Sequence, residues 1–359
     1  MKSAYAIHGG VTKQDMSGVL AMRGRTQFDI TVRHEEIDAT HFGDRYLSLV
    51  KAHRAKFDDL LNHSYSNKTR DQLDVRSFMR SSDEARRYIC DYCLPLLEQL
   101  APQISFQGLT LEDLLHSPVY TLEVVKTEFP GDTQIIGGNE CSYTPALNLL
   151  PLEIVNLPPG CNAITRFAAS EFSMDDQDPS SGTLQGRISV SEGRCMYFKP
   201  REAAREKQLD RELRILNDIK RKRLAKGEIK LPDLHGIVVS GEVDERCIGV
   251  LINMIPASSF GTDLLSPGCW THGELHEKWE QQVTATVEVL HAHGIVWGDV
   301  NAGNVVIDEA LDAWVIDFGG MNNPEFVDDD KAETIEGDWQ GVRRLFQEWL
   351  PSRRAGNPL

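Results

Sequence analysis

The run Gly294 to Gly320, GIVWGDVNAGNVVIDEALDAWVIDFGG, constrains the fold of this chain more than any other stretch. Ile295 and Val296 are apolar, Asp299 sits in a short loop, and Asn304 follows it directly ahead of a β-prone run, Val305 to Ile307. Asp308 to Asp312 is polar enough to turn, and a second apolar run, Ala313 to Ile316, leads into Asp317, Phe318, Gly319 and Gly320. The pattern predicts two strands paired as a hairpin, with carboxylate and amide groups gathered at one end.

That group of side chains suits one chemistry in particular. In-line phosphoryl transfer needs a carboxylate to orient an acceptor hydroxyl, and a carboxylate with an amide oxygen to hold Mg²⁺ against phosphates. The run resembles the catalytic and metal-binding loops of protein kinases: the pattern H-R-D-L-x-x-x-N followed by D-F-G is matched at Asp299, at Asn304, in their separation, and at Asp317-Phe318-Gly319. The resemblance implies that Asp299 orients the acceptor, that Asn304 and Asp317 bind Mg²⁺, and that Phe318 and Gly319 support the metal loop. Trp297 and Gly298 stand where the family has His and Arg. Without that Arg, control by a phosphorylated activation loop is not expected, and Trp297 is expected to fill the apolar volume of the His.

At 359 residues the chain has room for two domains, and 41% hydrophobic content is enough for two cores. A formal net charge of -16 argues against a nucleic-acid-binding surface. The N-terminal MKSAYAIHGG lacks the apolar run of a signal peptide, and no segment approaches the roughly 20 apolar residues of a spanning helix, so no membrane partner is expected. The cysteines number 7 and follow no framework spacing, which fits a reduced compartment, cytoplasmic or nuclear. Cys90 and Cys93 form the only CxxC, within a helical pattern, and are read as core residues.

Residues 1–156 carry no recognisable motif and are read as a mixed, mostly helical domain. Phe28, Ile30 and Val32 alternate as in a strand, Phe42, Tyr46, Val50, Phe57 and Leu61 recur near helical spacing, and 119–126 is β-prone. Ser81 with Glu84 reads as a capping box for a helix bent or ended near Pro95, and Thr110 with Asp113 as the start of another. Leu157-Pro158-Pro159-Gly160 marks the expected boundary.

The resemblance extends over 162–350 and implies an α+β, bilobal kinase-like domain: a small β-rich N-lobe, 162–255, and a mostly helical, truncated C-lobe, 256–350, with a tail at 351–359. Strands are expected at 162–172, 184–190, 194–199, 234–240 and 247–255. Lys199 ends a strand that resembles V-A-I-K, and Glu212, on a helix striped by Leu209, Leu213 and Leu216, resembles the αC glutamate, so the pair would anchor ATP phosphates. Asn253, Met254 and Ile255 correspond to the hinge that holds adenine, with Ile252 as gatekeeper. The phosphate-covering loop, 174–183, contains Asp175, Asp176 and Asp178, with only Gly182 and Gly186 as candidate phosphate-binding glycines.

Thr271 and Glu274 read as a capping box for a helix through Trp279, Val283, Val287 and Leu290 that ends at Gly294. No A-P-E run follows Gly320. Instead Gly337-Asp338-Trp339 resembles the start of the αF helix, whose Asp338 would hydrogen-bond the catalytic-loop backbone, and Pro351 would stop that helix. The likeness includes the compact kinase-like proteins common in filamentous fungi, which share the W-G-D and E-G-D sequences seen at Trp297 to Asp299 and Glu336 to Asp338.

The expected function is therefore an ATP- and Mg²⁺-dependent phosphotransferase acting on a hydroxyl. A serine/threonine protein kinase is the family default. The missing A-P-E and short C-lobe favour a small hydroxylated metabolite as acceptor instead, and the acidic loop favours a pseudokinase that binds partners.

Overall fold

Strand and helix periodicities each find a partner to bury against. The computed structural model describes residues 4–64, 75–102, 107–141, 152–173, 186–190, 195–202, 205–225, 227, 229–241 and 245–354. They form a mixture of helices and sheets, compatible with the α+β class, in two units: Met1–Asn148 with Ser170–Leu184, and Leu149–Ala169 with Gln185–Leu359.

In the first unit, β1 (Ala6–Thr12), β2 (Met16–Arg23) and β3 (Thr26–Arg33) form an antiparallel meander. The chain then leaves the sheet through α1 (His41–Ser64), α2 (Val75–Leu100) and α3 (Leu111–Leu115). It returns as β4 (Val119–Lys126), parallel to β3, and β5 (Thr133–Cys141) completes the order β1-β2-β3-β4-β5. Phe28, Ile30 and Val32 are buried, and they share a core with Phe42, Tyr46 and Val50 of α1 and Ile89, Cys93 and Leu97 of α2. Cys90 and Cys93 are both buried, and apolar surroundings push both thiols up, Cys93 to about 12, as for inert core residues.

Two helix boundaries differ from the sequence expectation. Ser81 does not cap α2 but lies inside it, its Oγ bonded to the Phe78 carbonyl at 2.7 Å and facing His53 Nδ1 at 3.0 Å. Pro95 does not end the helix, because Cys93 and Leu97 on either side of it are fully buried, and this packing offsets a proline penalty of about 3 kcal/mol. Thr110 and Asp113, by contrast, do form a reciprocal capping box on α3. The unit is mixed, as expected, but its strands β1 and β2 are not visible in the periodicity.

The second unit begins before the Pro-Pro-Gly turn. β6 (Leu152–Glu153) pairs with the start of a later strand, and the expected 162–172 run is broken up, with β7 (Arg166–Ala168) inside it, because Cys161 and Ile164 close tight turns and Ala169–Glu171 is a 3-10 turn. β8 (Phe172–Ser173) belongs to the first unit, where Ser173 bridges Thr110. The division of the chain thus differs from a single break near Gly160.

β9 (Gly186–Val190), β10 (Cys195–Pro200), α4 (Glu206–Lys222), β11 (Leu234–Ser240) and β12 (Arg246–Asn253) follow. Their sheet runs β7-β11-β12-β10-β9, with β6 beside β12. α4 buries Leu209, Leu213, Leu216 and Ile219.

The remaining elements are α5 (Pro267–Thr271), α6 (His276–Ala292), the hairpin β13 (Val305–Ile307) and β14 (Ala313–Val315), α7 (Ile335–Arg343), a π-helical turn (Arg344–Trp349) and α8 (Leu350–Arg354). Thr271 and Glu274 do not cap α6: Thr271 closes α5 with its Oγ1 on the Gly268 carbonyl, Glu274 pairs with His272, and α6 starts after Leu275. Pro351 does not stop the last helix either. It follows the π turn at the start of α8, where a missing N–H is tolerated.

Candidate active site

The hairpin forms in the expected register, Val305 opposite Val315 and Ile307 opposite Ala313. Its turn is held by Asp308, whose carboxylate accepts the Ala310 and Asp312 N–H groups and the Trp314 indole N–H at 2.8–2.9 Å. At the other end the polar groups converge. Asn304 Nδ2 donates to the Asp299 carboxylate at 2.8 Å and to its carbonyl at 2.9 Å, and Asn301 Nδ2 donates to the other carboxylate oxygen at 3.0 Å. Asn301 also caps the short turn Ala302–Asn304 by accepting the Gly303 N–H.

Two amide donors hold Asp299 in one orientation, yet burial and the nearby Asp317 charge outweigh them and push its carboxyl up to about 6. Asp317 itself has a left-handed backbone, φ 58°, an uncommon conformation for a residue with a side chain. Its Oδ1 accepts the Gly319 N–H at 3.2 Å, while Phe318 is fully buried in the core.

Alternation along β10 puts Met196 and Phe198 in the core and leaves Tyr197 and Lys199 facing the other side. Lys199 Nζ lies 2.5 Å from Glu212 Oε2 and 3.0 Å from Asp317 Oδ1. Burial works against the charged ammonium, but the two carboxylates more than offset it and raise its pKa, so Lys199 is a fixed cation. Glu212 is 3% exposed, a carboxylate whose burial is tolerable only with such a partner.

Behind this cluster lies a cleft of about 290 Å³, lined by Lys199, Glu212, Asn304 and Asp317 at its polar end. Ile252, Asn253, Met254 and Ile255 line it as the chain leaves β12, with Tyr197, Val306 and Ile316. Asp263, whose carboxyl burial pushes up, also faces the cleft.

The loop through Trp297 and Gly298 is fixed by Asp338, which is 2% exposed and accepts the Trp297 and Gly298 N–H groups and His291 Nε2, each at 2.8 Å. Trp297 is fully buried, and its indole N–H bonds the Ile316 carbonyl at 2.9 Å, tying the loop to the strand before Asp317.

The structure thus brings together Lys199, Glu212, Asp299, Asn304 and Asp317, with Asn253, Met254 and Ile255 on the cleft wall and Asp338 under the loop that carries Asp299. Gly182 lies outside the described residues. Gly186 does not join the site: it starts β9 opposite Phe198, with φ 139° and nothing within 4 Å of the position a Cβ would take. Three contributors escaped sequence reading. Asn301 could have been found as an amide inside the catalytic motif. His291 and Arg211 gave no signal, since a His at a helix end and an Arg on a charged helix are ordinary; yet Arg211 donates to the carbonyls of Val296, Trp297 and Phe318.

The donor set accords with a hard divalent cation. Asp317 offers a carboxylate, and Asn304, whose NH₂ is taken by Asp299, offers its amide oxygen; among the described residues no group of three or more His, Cys, Asp or Glu could hold a metal alone. Mg²⁺ shared with substrate phosphates asks for no more than one or two such ligands. No family model matches the chain, and no curated protein matches it.

Proposed function

We propose that this chain is an ATP- and Mg²⁺-dependent phosphotransferase that moves the γ-phosphate of ATP to a hydroxyl, and that its second unit is a divergent kinase-like bilobal domain. The sheet with α4 would form the small lobe, and α5 to α8 with the hairpin the larger one. The observation that carries this reading is the Glu212–Lys199–Asp317 chain of contacts, 2.5 and 3.0 Å, which lines the polar end of one cleft together with Asn304, the residue that holds the Asp299 carboxylate.

In this reading the backbone from Asn253 to Ile255 borders the adenine, and Lys199, anchored by Glu212, grips the α- and β-phosphates. Asp317 and Asn304 would hold Mg²⁺, which neutralises the charge on the transferring group when bound. Asp299 accepts a hydrogen bond from the acceptor hydroxyl and takes its proton as the oxygen attacks phosphorus and ADP departs. Asn301 and Asn304 keep that carboxylate from turning away.

A protein serine or threonine is the acceptor we propose. A small hydroxylated metabolite is the second reading, favoured by the short connection from Gly320 to α7, which consists of turns and one 3-10 turn, Asp329–Lys331. Thermal melting with and without Mg²⁺-ATP tests the shared step. At 100 times Kd a ligand of the native state adds about 2.7 kcal/mol of apparent stability, so the melting temperature rises with nucleotide and rises less in Asp317→Asn. A melting temperature indifferent to millimolar Mg²⁺-ATP rejects the proposal.

A further inference from the structure

Arg211 precedes Glu212 on α4, and its guanidinium is fixed by three backbone carbonyls. Nη1 donates to Trp297 at 3.2 Å and to Phe318, and Nη2 donates to Val296 at 3.2 Å. These carbonyls lie just before Asp299 and just after Asp317, the two carboxylates of the site. No carboxylate pairs with Arg211 among the described residues, and three of its five N–H donors go to backbone carbonyls.

Gly298 makes the contact possible. Its φ is 79°, and a Cβ there would lie 2.7 Å from Arg211 Nη2. At Gly320, φ 74°, a Cβ would crowd Glu333 Oε1 and would sit in ordinary contact, 3.5 Å, with Arg211 Cδ. The residue type at 298 and the arginine on α4 therefore form one device: a side chain at 298 would occupy the space through which the guanidinium reaches the loops.

We propose that Arg211 is a positioning residue that locks α4, with its Lys199–Glu212 pair, to the catalytic and metal loops, so that the site is aligned by a contact internal to the chain and without covalent modification. The alignment is a statement about geometry; its effect on turnover rests on the phosphotransferase reading above. A planar fork can satisfy three carbonyls at once, whereas a lysine ammonium on a shorter reach cannot match all three.

The test uses the full chain with Arg211→Ala and Arg211→Lys, followed by hydrogen exchange of the backbone and by hydrolysis of Mg²⁺-ATP. Loss of three hydrogen bonds, one by one of modest worth, is expected to speed exchange across 296–299 and 317–320 by about tenfold or more in Arg211→Ala. Exchange in β13 and β14 stays unchanged, and Arg211→Lys lies between. The kcat for Mg²⁺-ATP falls about tenfold, with KM within about threefold, as for a group that orders the reacting atoms without touching nucleotide. Unchanged exchange in both variants overturns the lock whatever the activity. Faster exchange with unchanged kcat overturns its role in turnover. If the wild-type chain neither binds nor hydrolyses Mg²⁺-ATP, the phosphotransferase reading fails, and the exchange comparison still decides whether Arg211 holds the loops. Should Arg211→Ala not fold, Arg211→Lys carries the exchange readout alone: faster exchange than wild type supports the lock, and equal exchange overturns it.

Discussion

Asp299 is held by neutral amides on both carboxylate oxygens, and its carboxyl is pushed up to about 6 by burial and by Asp317. The sign has two consequences. A group whose folded pKa is raised adds stability below its ordinary range, near 4, and that contribution is lost as pH rises through about 6. In the proposed role of Asp299 activity runs the other way, because only the ionised form can take a proton: transfer is expected to fall as pH drops through about 6, or lower where a cation at Asp317 offsets the repulsion. A pH–rate profile with no acid limb between pH 4 and 7 contradicts the assignment. Asp338 is a different kind of carboxylate, an acceptor for two loop N–H groups and His291. Asp338→Ala leaves those buried donors unsatisfied and is expected to cost about 2 to 4 kcal/mol in chemical denaturation; a loss under 1 kcal/mol would mean that water replaces it. Asp299, Asn304, Asp317 and Asp338 were legible because each sits in a short run of fixed spacing. Arg211 and His291 were not, because their importance lies in carbonyls and a carboxylate tens of residues away in sequence.

At the level of elements, the loop that carries Asp299 rests on α7 through a close approach that only glycine permits. A Cβ at Gly341 would lie 2.6 Å from Val300 Cβ and 2.8 Å from Val300 Cγ1, next to Asp299. Glycine inside a helix ordinarily costs about 1 kcal/mol relative to alanine, so Gly341→Ala would stabilise an unconstrained helix. Here the overlap reverses the sign, and the variant is expected to lose about 1 to 3 kcal/mol and to displace the loop. A gain in melting temperature with unchanged activity would show that the loop does not depend on this contact. Strands β4, β11, β13 and α6 were readable because their apolar residues follow one period between clear breakers. Helix starts were less so: Ser81–Glu84 and Thr271–Glu274 both match a capping sequence, yet one pair lies inside a longer helix and the other runs from the last residue of α5 into the turn before α6. A cap motif says that a helix could start, and packing decides where it does. β1 and β2 were missed because AIHGGVT and MSGVLAMR carry glycines and small residues in place of a branched alternation.

At the level of the whole molecule, each unit has its own core, one built on the β1–β5 sheet and the other uniting α4, β11, β12, α6 and the hairpin. The boundary was only partly legible, since Pro158-Pro159-Gly160 is a real turn, but β6 has already paired with β12 before it. Physical pairing across the sheet, which no local pattern announces, set the division. The central claim concerns the second unit alone: that its cleft transfers phosphate, with Asp299 as the proton acceptor. It is tested most directly by incubating the full chain with Mg²⁺ and γ-labelled ATP, in parallel with a protein lysate and a metabolite extract, beside Asp299→Asn. Label is expected in one of the two acceptor pools, reduced by about two to four orders of magnitude in the variant while its melting temperature stays close to that of the wild type. Labelling by Asp299→Asn equal to that of the wild type, or none by the wild type in either pool, contradicts it.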